Sequence, residues 1–216
     1  MNILYSFRRC PYAIRARLAL SYALPEQSLE LREVVLKDKP SELLAINPNA
    51  TVPVLHLLND DLSTCDVLSE SLHIMLWALA QTDSDGWLEA AHKPLVLELI
   101  ALNDGDFKWA LDHYKYADRY DNPPEYYRKK AEVFLAKLEG MLKNNAYLFS
   151  ANIGLADMAI APFIRQFAHV DKDWFFNSQY VHLQQWLNIF LESQRFKSIM
   201  KKYPQWKIDS VGTYFP

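Results

Sequence analysis

The sequence predicts a small mixed α/β domain followed by an all-α domain. Three observations lead there. Strand-like and helix-like stretches alternate over residues 1–80. A polar, Gly-containing stretch, Thr82-Asp-Ser-Asp-Gly86, then interrupts the chain, and beyond it apolar residues recur only at helical spacing. With 216 residues, 50% hydrophobic and 23% charged, the chain has material for a real core in each part.

The elements follow in order. Asn2-Ile-Leu-Tyr-Ser-Phe7 is a short β-prone run. After it, Ile14, Leu18 and Tyr22 recur every four residues and predict a helix, with Pro11 in the first turn, where a missing N–H costs nothing. Leu29–Val35 reads as a second strand, and Ser41–Ile46 as a short helix that Asn47-Pro48 ends. Thr51–Leu58 reads as a third strand with an internal proline, Pro53, which belongs at a strand start, an edge or a bulge because it cannot donate to a ladder. Asp66–Ser69 is a weaker fourth strand, and Glu70–Leu79 a helix with an acidic group in its first turn. A β-α-β then β-β-α order builds a small mixed sheet with helices packed on it, a thioredoxin-like pattern.

In the second half, Leu95, Leu99 and Leu102, then Phe107, Leu111 and Tyr114, mark one long helix or a helix interrupted near Gly105. Pro124 opens another, with Ala131, Phe134, Leu135, Leu138, Met141 and Leu142 on its apolar face. Gly154-Leu-Ala-Asp157 reads as a helix start with Asp157 at the third position, and Pro162 predicts a kink or break further along. Tyr180–Glu192 supplies one more helix. The expected organisation is residues 1–80 as the α/β domain, 81–88 as linker and 89–216 as the helical domain.

Several function classes fall away. A net charge of −3 gives no general footprint for nucleic acid or an anionic membrane. Lys197, Lys201, Lys202 and Lys207 form a basic patch that reads as a solvated face. The two cysteines lack paired spacing, which argues against a disulfide scaffold and fits a reducing compartment. The first residues run straight into structure with no signal peptide, and the apolar stretches carry charges such as Glu98 and Asp157, so a cytoplasmic location and no membrane span are expected. The six histidines show no His-x-x-x-His or Cys/His pairing, so no metal is expected. The five glycines form no phosphate-cradling loop.

The chemistry concentrates at Arg8-Arg9-Cys10-Pro11-Tyr12-Ala13. Most free cysteines are small buried hydrophobes. Cys10, however, falls at a strand-to-helix junction, beside the positive end of the helix dipole, which lowers a thiol from its free value of about 8.5 and favours the nucleophilic thiolate. Arg8, Arg9 and Arg15 are positioned to add to that push. Ala13 stands where a dithiol redox protein has its second cysteine, so a disulfide made by Cys10 needs an outside thiol to resolve it, and glutathione is the abundant one. Cys65, in the polar stretch Asn59–Cys65, is taken as incidental.

Arg9-Cys-Pro-Tyr-Ala13, Leu36-Lys-Asp-Lys-Pro40, Asn47-Pro48, Val52-Pro-Val-Leu55, Leu68-Ser-Glu-Ser71 and Leu155-Ala-Asp157 together resemble the cytosolic glutathione transferases, most of all the cysteine-type, omega-like branch and its bacterial relatives. The resemblance covers nearly the whole chain. It implies a thioredoxin-like N-terminal domain that binds glutathione as co-substrate, an all-α C-terminal domain, no metal and a homodimer. It implies a cis Val52–Pro53 bond and a glutathione backbone lying along Val52 as an added strand. Glu70 and Ser71 then take the γ-glutamyl end, its carboxylate on Ser71 and the open amides and its ammonium on Glu70, while Leu36 and Lys39 take the glycyl end. The second-substrate pocket, which in this family opens between the domains, is expected to carry Tyr12, Trp109, His113 and Tyr116. One departure is Gly154, where the family usually has a Ser or Thr cap; glycine costs only a few tenths of a kcal/mol there.

The expected activity is a glutathione-dependent thiol transferase or reductase through a Cys10–glutathione mixed disulfide, acting on a small molecule such as dehydroascorbate or on a protein disulfide. A second reading is conjugation of glutathione to electrophiles with Tyr5 or Ser6 stabilising the glutathione thiolate. A third, from another class, is a non-catalytic scaffold that keeps the fold for binding.

Overall fold

The computed structural model describes residues 1–88, 93–210 and 212–216. They divide into two compact units: Met1–Asp85 with Gln194–Pro216, and Gly86–Ser193. The expected first residue of the helical domain, 89, lies outside the described residues. Residues 194–216, assigned from sequence to the helical domain, group with the first unit instead.

The first unit runs β1 (Asn2–Ser6), α1 (Pro11–Ala23), β2 (Leu29–Glu33), α2 (Ser41–Ile46), β3 (Val54–Leu58), β4 (Thr64–Leu68) and α3 (Ser71–Gln81). The second holds α4 (Lys93–Leu102), α5 (Lys108–Lys115), α6 (Pro124–Leu142), α7 (Leu155–Ala168), α8 (Lys172–Phe176) and α9 (Val181–Glu192). The chain then returns to the first unit with α10 (Gln194–Ile199) and β5 (Tyr214–Phe215).

The sheet has the order β4-β3-β1-β2-β5, with β1 parallel to β2 and the other pairings antiparallel. β3 starts at Val54, one residue after Pro53, which is where a residue without an N–H fits. Cys65 lies on exposed β4 rather than in a loop; Leu57 pairs with Asp66 and Leu58 with Thr64, so Cys65 is the extra residue of a bulge. Alternation sorts the side chains. Ile3, Tyr5, Val34 and Val54 pack with Leu43 of α2 on one face, while Leu4, Leu31 and Leu55, cross-strand neighbours, share the other.

Glu33 also falls on that second face, paired across the strands with Ser6, and there it meets Arg17 of α1 in an ion pair. Arg17 is fully buried and Glu33 nearly so. Burial pushes the Arg17 guanidinium down from its ordinary value, and Glu33 opposes the shift. Glu33 Oε1 accepts the Arg8 N–H at 2.6 Å, and Arg17 Nη1 donates to the Ile199 carbonyl of α10 at 3.2 Å. One carboxylate and one guanidinium therefore join β2, α1, the turn after β1 and α10.

The last residues complete this unit. The Trp206 N–H donates to the Glu33 carbonyl at 2.9 Å, and the Arg32 guanidinium lies 4.1 Å from the centre of the Trp206 ring. The Leu31 N–H donates to the Thr213 carbonyl at 2.7 Å, and β5 pairs with β2.

In the second unit α4 and α5 flank a π-helical segment, Asn103–Phe107, containing Gly105. The buried face upstream is Val96, Leu99, Ile100 and Asn103, whereas Leu95 and Leu102 are 56% and 36% exposed. The extra residue in a π turn rotates the helix before it by about one position, so the expected Leu95–Leu99–Leu102 stripe is out of phase with Phe107–Leu111–Tyr114. Phe107 packs on Phe134 of α6 and Phe167 of α7, with ring centres 4.9 and 5.8 Å away. α6 buries Ala131, Phe134, Leu135, Leu138 and Leu142 as its spacing predicts, while Met141, expected on the same face, is half-buried. α7 runs continuously through Pro162, so of the expected kink or break there is no break. Twelve of its 14 residues are buried, and that packing offsets the one backbone bond that proline removes.

Asp157 anchors the start of α7. Its Oδ2 accepts the Gly154 N–H at 3.0 Å, and its Oδ1 accepts the Leu148 N–H at 3.0 Å and the Trp186 Nε1–H at 2.8 Å. Only the backbone-returning half of a capping box exists, because Gly154 has no side chain to give. Burial pushes the Asp157 carboxyl up to about 6, against the pull of these three donors.

Two predictions follow from this packing. Glu33→Gln leaves Arg17 buried without its counter-charge and should lower stability in urea by about 3–5 kcal/mol; a loss under about 1 kcal/mol would show that the pair does not hold these elements. Asp157 binds its proton more tightly folded than unfolded, so its contribution to stability is fully present below pH 4 and is lost as pH rises through about 6. Asp157→Asn should therefore remove about 2 kcal/mol of the stability change between pH 4 and pH 7. Parallel pH dependences in the two proteins would refute this.

Candidate functional site

Cys10 is the N-cap of α1 and Pro11 its first residue, the junction that the sequence predicts. The Cys10 carbonyl accepts the Ile14 N–H at 2.9 Å, the first helical bond, and its own N–H donates to the Phe7 carbonyl at 3.0 Å, closing the turn that delivers the thiol. Half-buried Cys10 Sγ lies 3.7 Å from the Val52 carbonyl, with the S–H donating. The neighbouring arginines are committed in their own ways. Arg8 Nη1 reaches the Met200 carbonyl at 3.5 Å, the Arg9 guanidinium lies 5.4 Å from the Phe7 ring centre, and Arg15 turns to α3.

Val52 precedes Pro53 through a cis peptide bond, as the resemblance implies. The turn before it is fixed by Asn47, whose Nδ2 donates to the Thr51 carbonyl at 3.3 Å and to Thr51 Oγ1 at 3.0 Å. Ala50 takes a left-handed conformation, φ 53°, a strained one for a residue with a Cβ. The sequence marks Asn47-Pro48 as a helix stop and as one of the motifs of the resemblance, but not the bond from Asn47 to Thr51 or the strain at Ala50.

Glu70 is exposed and is the N-cap of α3 rather than part of its first turn, so the expected first-turn acid is corrected by one position. Its carbonyl accepts the Ile74 N–H at 3.0 Å, which leaves the amides before Ile74 as the open donors of the helix start. Ser71 is 3% exposed, and its Oγ accepts a bond from Arg15 Nε at 3.0 Å, keeping its own proton available to donate. The Arg15 guanidinium also lies 5.0 Å from the centre of the Tyr12 ring. Arg15 thus ties the Cys10 helix to the Ser71 helix start.

Leu36 is exposed and Lys39 half-buried in the loop after β2. That loop is fastened by Val34 N–H to the Ser6 carbonyl at 2.7 Å and by Gln205 Nε2 to Asp38 Oδ2 at 2.8 Å. Direct bonds join Cys10 to Val52 and Ser71 to Arg15.

Tyr5 is 1% exposed, and its hydroxyl accepts from Arg32 Nη1 at 2.7 Å. Burial raises its pKa, with Arg32 opposing. Ser6 is fully buried, its Oγ without a hydrogen-bond partner.

In the helical unit, Trp109 and His113 stack at 4.1 Å, as their spacing of four predicts. His113 also stacks on Tyr120 at 3.8 Å, and Tyr127 lies 5.1 Å away, two rings that the sequence reading did not include. Tyr116 is separate from this cluster: it ends α5, with Lys115 and Arg119 4.8 and 4.5 Å from its ring centre. No group of three His, Cys, Asp or Glu among the described residues is arranged to hold a metal ion, and His92 lies outside them. No helix among them is long and apolar enough to cross a membrane.

Residues 4–86 match the family model "Glutathione S-transferase, N-terminal domain", and residues 86–188 match "Glutathione S-transferase, C-terminal domain". Among solved structures, the chain is similar to a glutathione transferase family member from Pseudomonas fluorescens with two glutathiones bound, at 18% identity, 92% coverage of each chain and a TM-score of 0.76. It is likewise similar to glutathione transferase Omega 2C from Trametes versicolor, at 17% identity, 92% of each chain and 0.71. A possible glutathione transferase from Rhodopseudomonas palustris aligns at 22% identity over 97% of this chain and 94% of its own, with a TM-score of 0.75. A sequence comparison with curated proteins returns no match.

Ser71→Ala should leave the buried Arg15 Nε without its acceptor and lower stability by about 1–3 kcal/mol in urea unfolding. An unchanged midpoint would mean that the Arg15–Ser71 bond does not tie the two helix starts.

Proposed function

The chain belongs to the glutathione S-transferase family, and from that premise we propose that it is a glutathione-dependent thiol transferase with Cys10 as its nucleophile. The observation that carries this reading is a cysteine capping α1, its Sγ 3.7 Å from the Val52 carbonyl, with Ala13 where a resolving cysteine would stand. A helix start favours the thiolate both as attacking and as leaving group.

In this scheme glutathione lies along Val52 and Pro53, its γ-glutamyl carboxylate on Ser71 and the open amides of α3, its ammonium on Glu70 and its glycyl end at Leu36 and Lys39. The Cys10 thiolate attacks the glutathione sulfur of a mixed disulfide. The S–S bond breaks, a Cys10–glutathione bond forms, and the other half leaves as a thiolate that takes a proton from water. A second glutathione thiolate then attacks, releasing oxidised glutathione and restoring the Cys10 thiolate, a ping-pong cycle. Tyr12, Trp109, His113 and Tyr116 are the proposed contacts to the second substrate, Trp109 and His113 within one ring cluster and Tyr116 outside it. A reducing cytoplasm and a homodimer complete the reading.

Conjugation ranks second. The Tyr5 hydroxyl is occupied by Arg32 and Ser6 is fully buried, which leaves neither well disposed to hold a ligand thiolate. A non-catalytic scaffold has no need of a cysteine at this helix start.

Incubation with oxidised glutathione should add one glutathionyl group, mapped by peptide mass to Cys10, in both the wild type and Cys65→Ser. Cys10→Ser should lose that adduct and the turnover of a glutathione mixed disulfide. Modification confined to exposed Cys65, or full turnover by Cys10→Ser, would overturn the assignment.

A further inference from the structure

We propose that a cavity built entirely within Gly86–Ser193 is a second ligand site, one that takes a small carboxylate and prefers an amino-acid zwitterion. The cavity measures about 440 Å³, within the range of small-molecule sites, and is lined by the end of α5, the first turns of α6 and the α7–α8 junction.

Two unsatisfied donors select the ligand's chemistry. Tyr114 is 5% exposed and lines the cavity; its buried hydroxyl lies against the Arg128 side chain, which can only donate to it, so its own proton has no acceptor. Arg128 lines it too, and its buried Nε is also without one; the nearest carboxylate oxygen, Glu132 Oε1, stands 3.9 Å away, beyond hydrogen-bond reach. The Arg128 guanidinium is held over Trp174 at 4.5 Å and over Tyr114 at 6.0 Å, so its position is set before any ligand arrives. Buried donors without acceptors are costly, and an incoming oxyanion removes that cost. Lys172 and the positive end of α6 point the same way.

The charge balance narrows the class. Asp171 Oδ1 accepts the Trp174 N–H at 2.9 Å as the cap of α8, which holds that carboxylate in place without neutralising it. Arg128 and Lys172 therefore stand against three acids, Glu125, Asp171 and Asp173. A lining with charges of both signs suits a ligand that carries one of each. A polyanion would meet repulsion from the three acids, while Pro124 and Val170 leave an apolar wall for a side chain.

The test is calorimetry on the full chain with four probes: L-phenylalanine, 3-phenylpropionate, phenethylamine and inorganic phosphate. L-Phenylalanine should bind best, 3-phenylpropionate more weakly and phenethylamine not at all. Tyr114→Phe should weaken L-phenylalanine binding about tenfold or more, the loss of one hydrogen bond to a charged group, while glutathione binding and the melting temperature stay as in the wild type. Lys172→Met, an exposed change, serves as a second variant and should weaken both carboxylate probes. Tighter binding of phosphate than of either carboxylate overturns the class, and equal binding of the two carboxylates overturns the zwitterion preference. No binding of any probe at 10 mM (an on-the-order-of ceiling for a weak small-molecule site), or binding that neither variant changes, overturns the site.

Discussion

The first unit depends on a buried ion pair. Arg17 is fully buried, and its partner Glu33 keeps only about a tenth of its side chain exposed. Such a pair adds little net stability over two well-packed apolar residues, because both charges must be stripped of water. What it imposes is geometry. A buried guanidinium has only one acceptable partner, so α1 is locked in rotation and in height against β2. The Arg8 N–H and the Ile199 carbonyl complete the set, and the turn after β1 and the returning α10 share the same lock.

The rotation of α1 matters because the helix carries its chemistry at one end. Cys10 caps it, Arg15 leaves its second turn towards Ser71, and Arg17 is the fixed point further in. A slip of one residue in α1 would move the thiol away from the Val52 carbonyl and separate Arg15 from the start of α3. On the other side of the thiol, Asn47 and Thr51 hold the loop that ends in Val52. The thiol and the carbonyl it faces are each held from behind by hydrogen bonds of their own.

Much of this was legible in the sequence where one rule acts alone. Pro11 after Cys10 marks a helix start, Asn47-Pro48 a helix stop, and the spacing along α6 gives its buried face from Ala131 to Leu142 except for half-buried Met141. The failures share a cause: a tertiary partner that no local pattern announces. Arg15 is expected to act on the Cys10 thiol and Arg17 draws no notice in the sequence, yet both are buried and bonded to Ser71 and Glu33. The face of α4 was misread because a single extra residue in a π turn shifts the phase of everything before it. Pro162 predicts a kink or a break, but a helix buried on nearly every side stays continuous through it. β5 is two residues long and follows a stretch without periodicity, so nothing marked it as the partner of β2.

That returning strand has a bearing on how the chain folds as it is made. The helical unit is continuous in sequence, whereas the first unit is split around it. A ribosome adds about 5–20 residues per second, so β1 to α3 wait on the order of ten seconds while Gly86–Ser193 emerges, before α10 and β5 exist. Throughout that interval the outer edge of β2 is unpaired and Arg17 lacks its Ile199 acceptor. The nascent sheet is therefore open to strand addition by other chains just when it is least complete, and the helical unit is the part able to fold first.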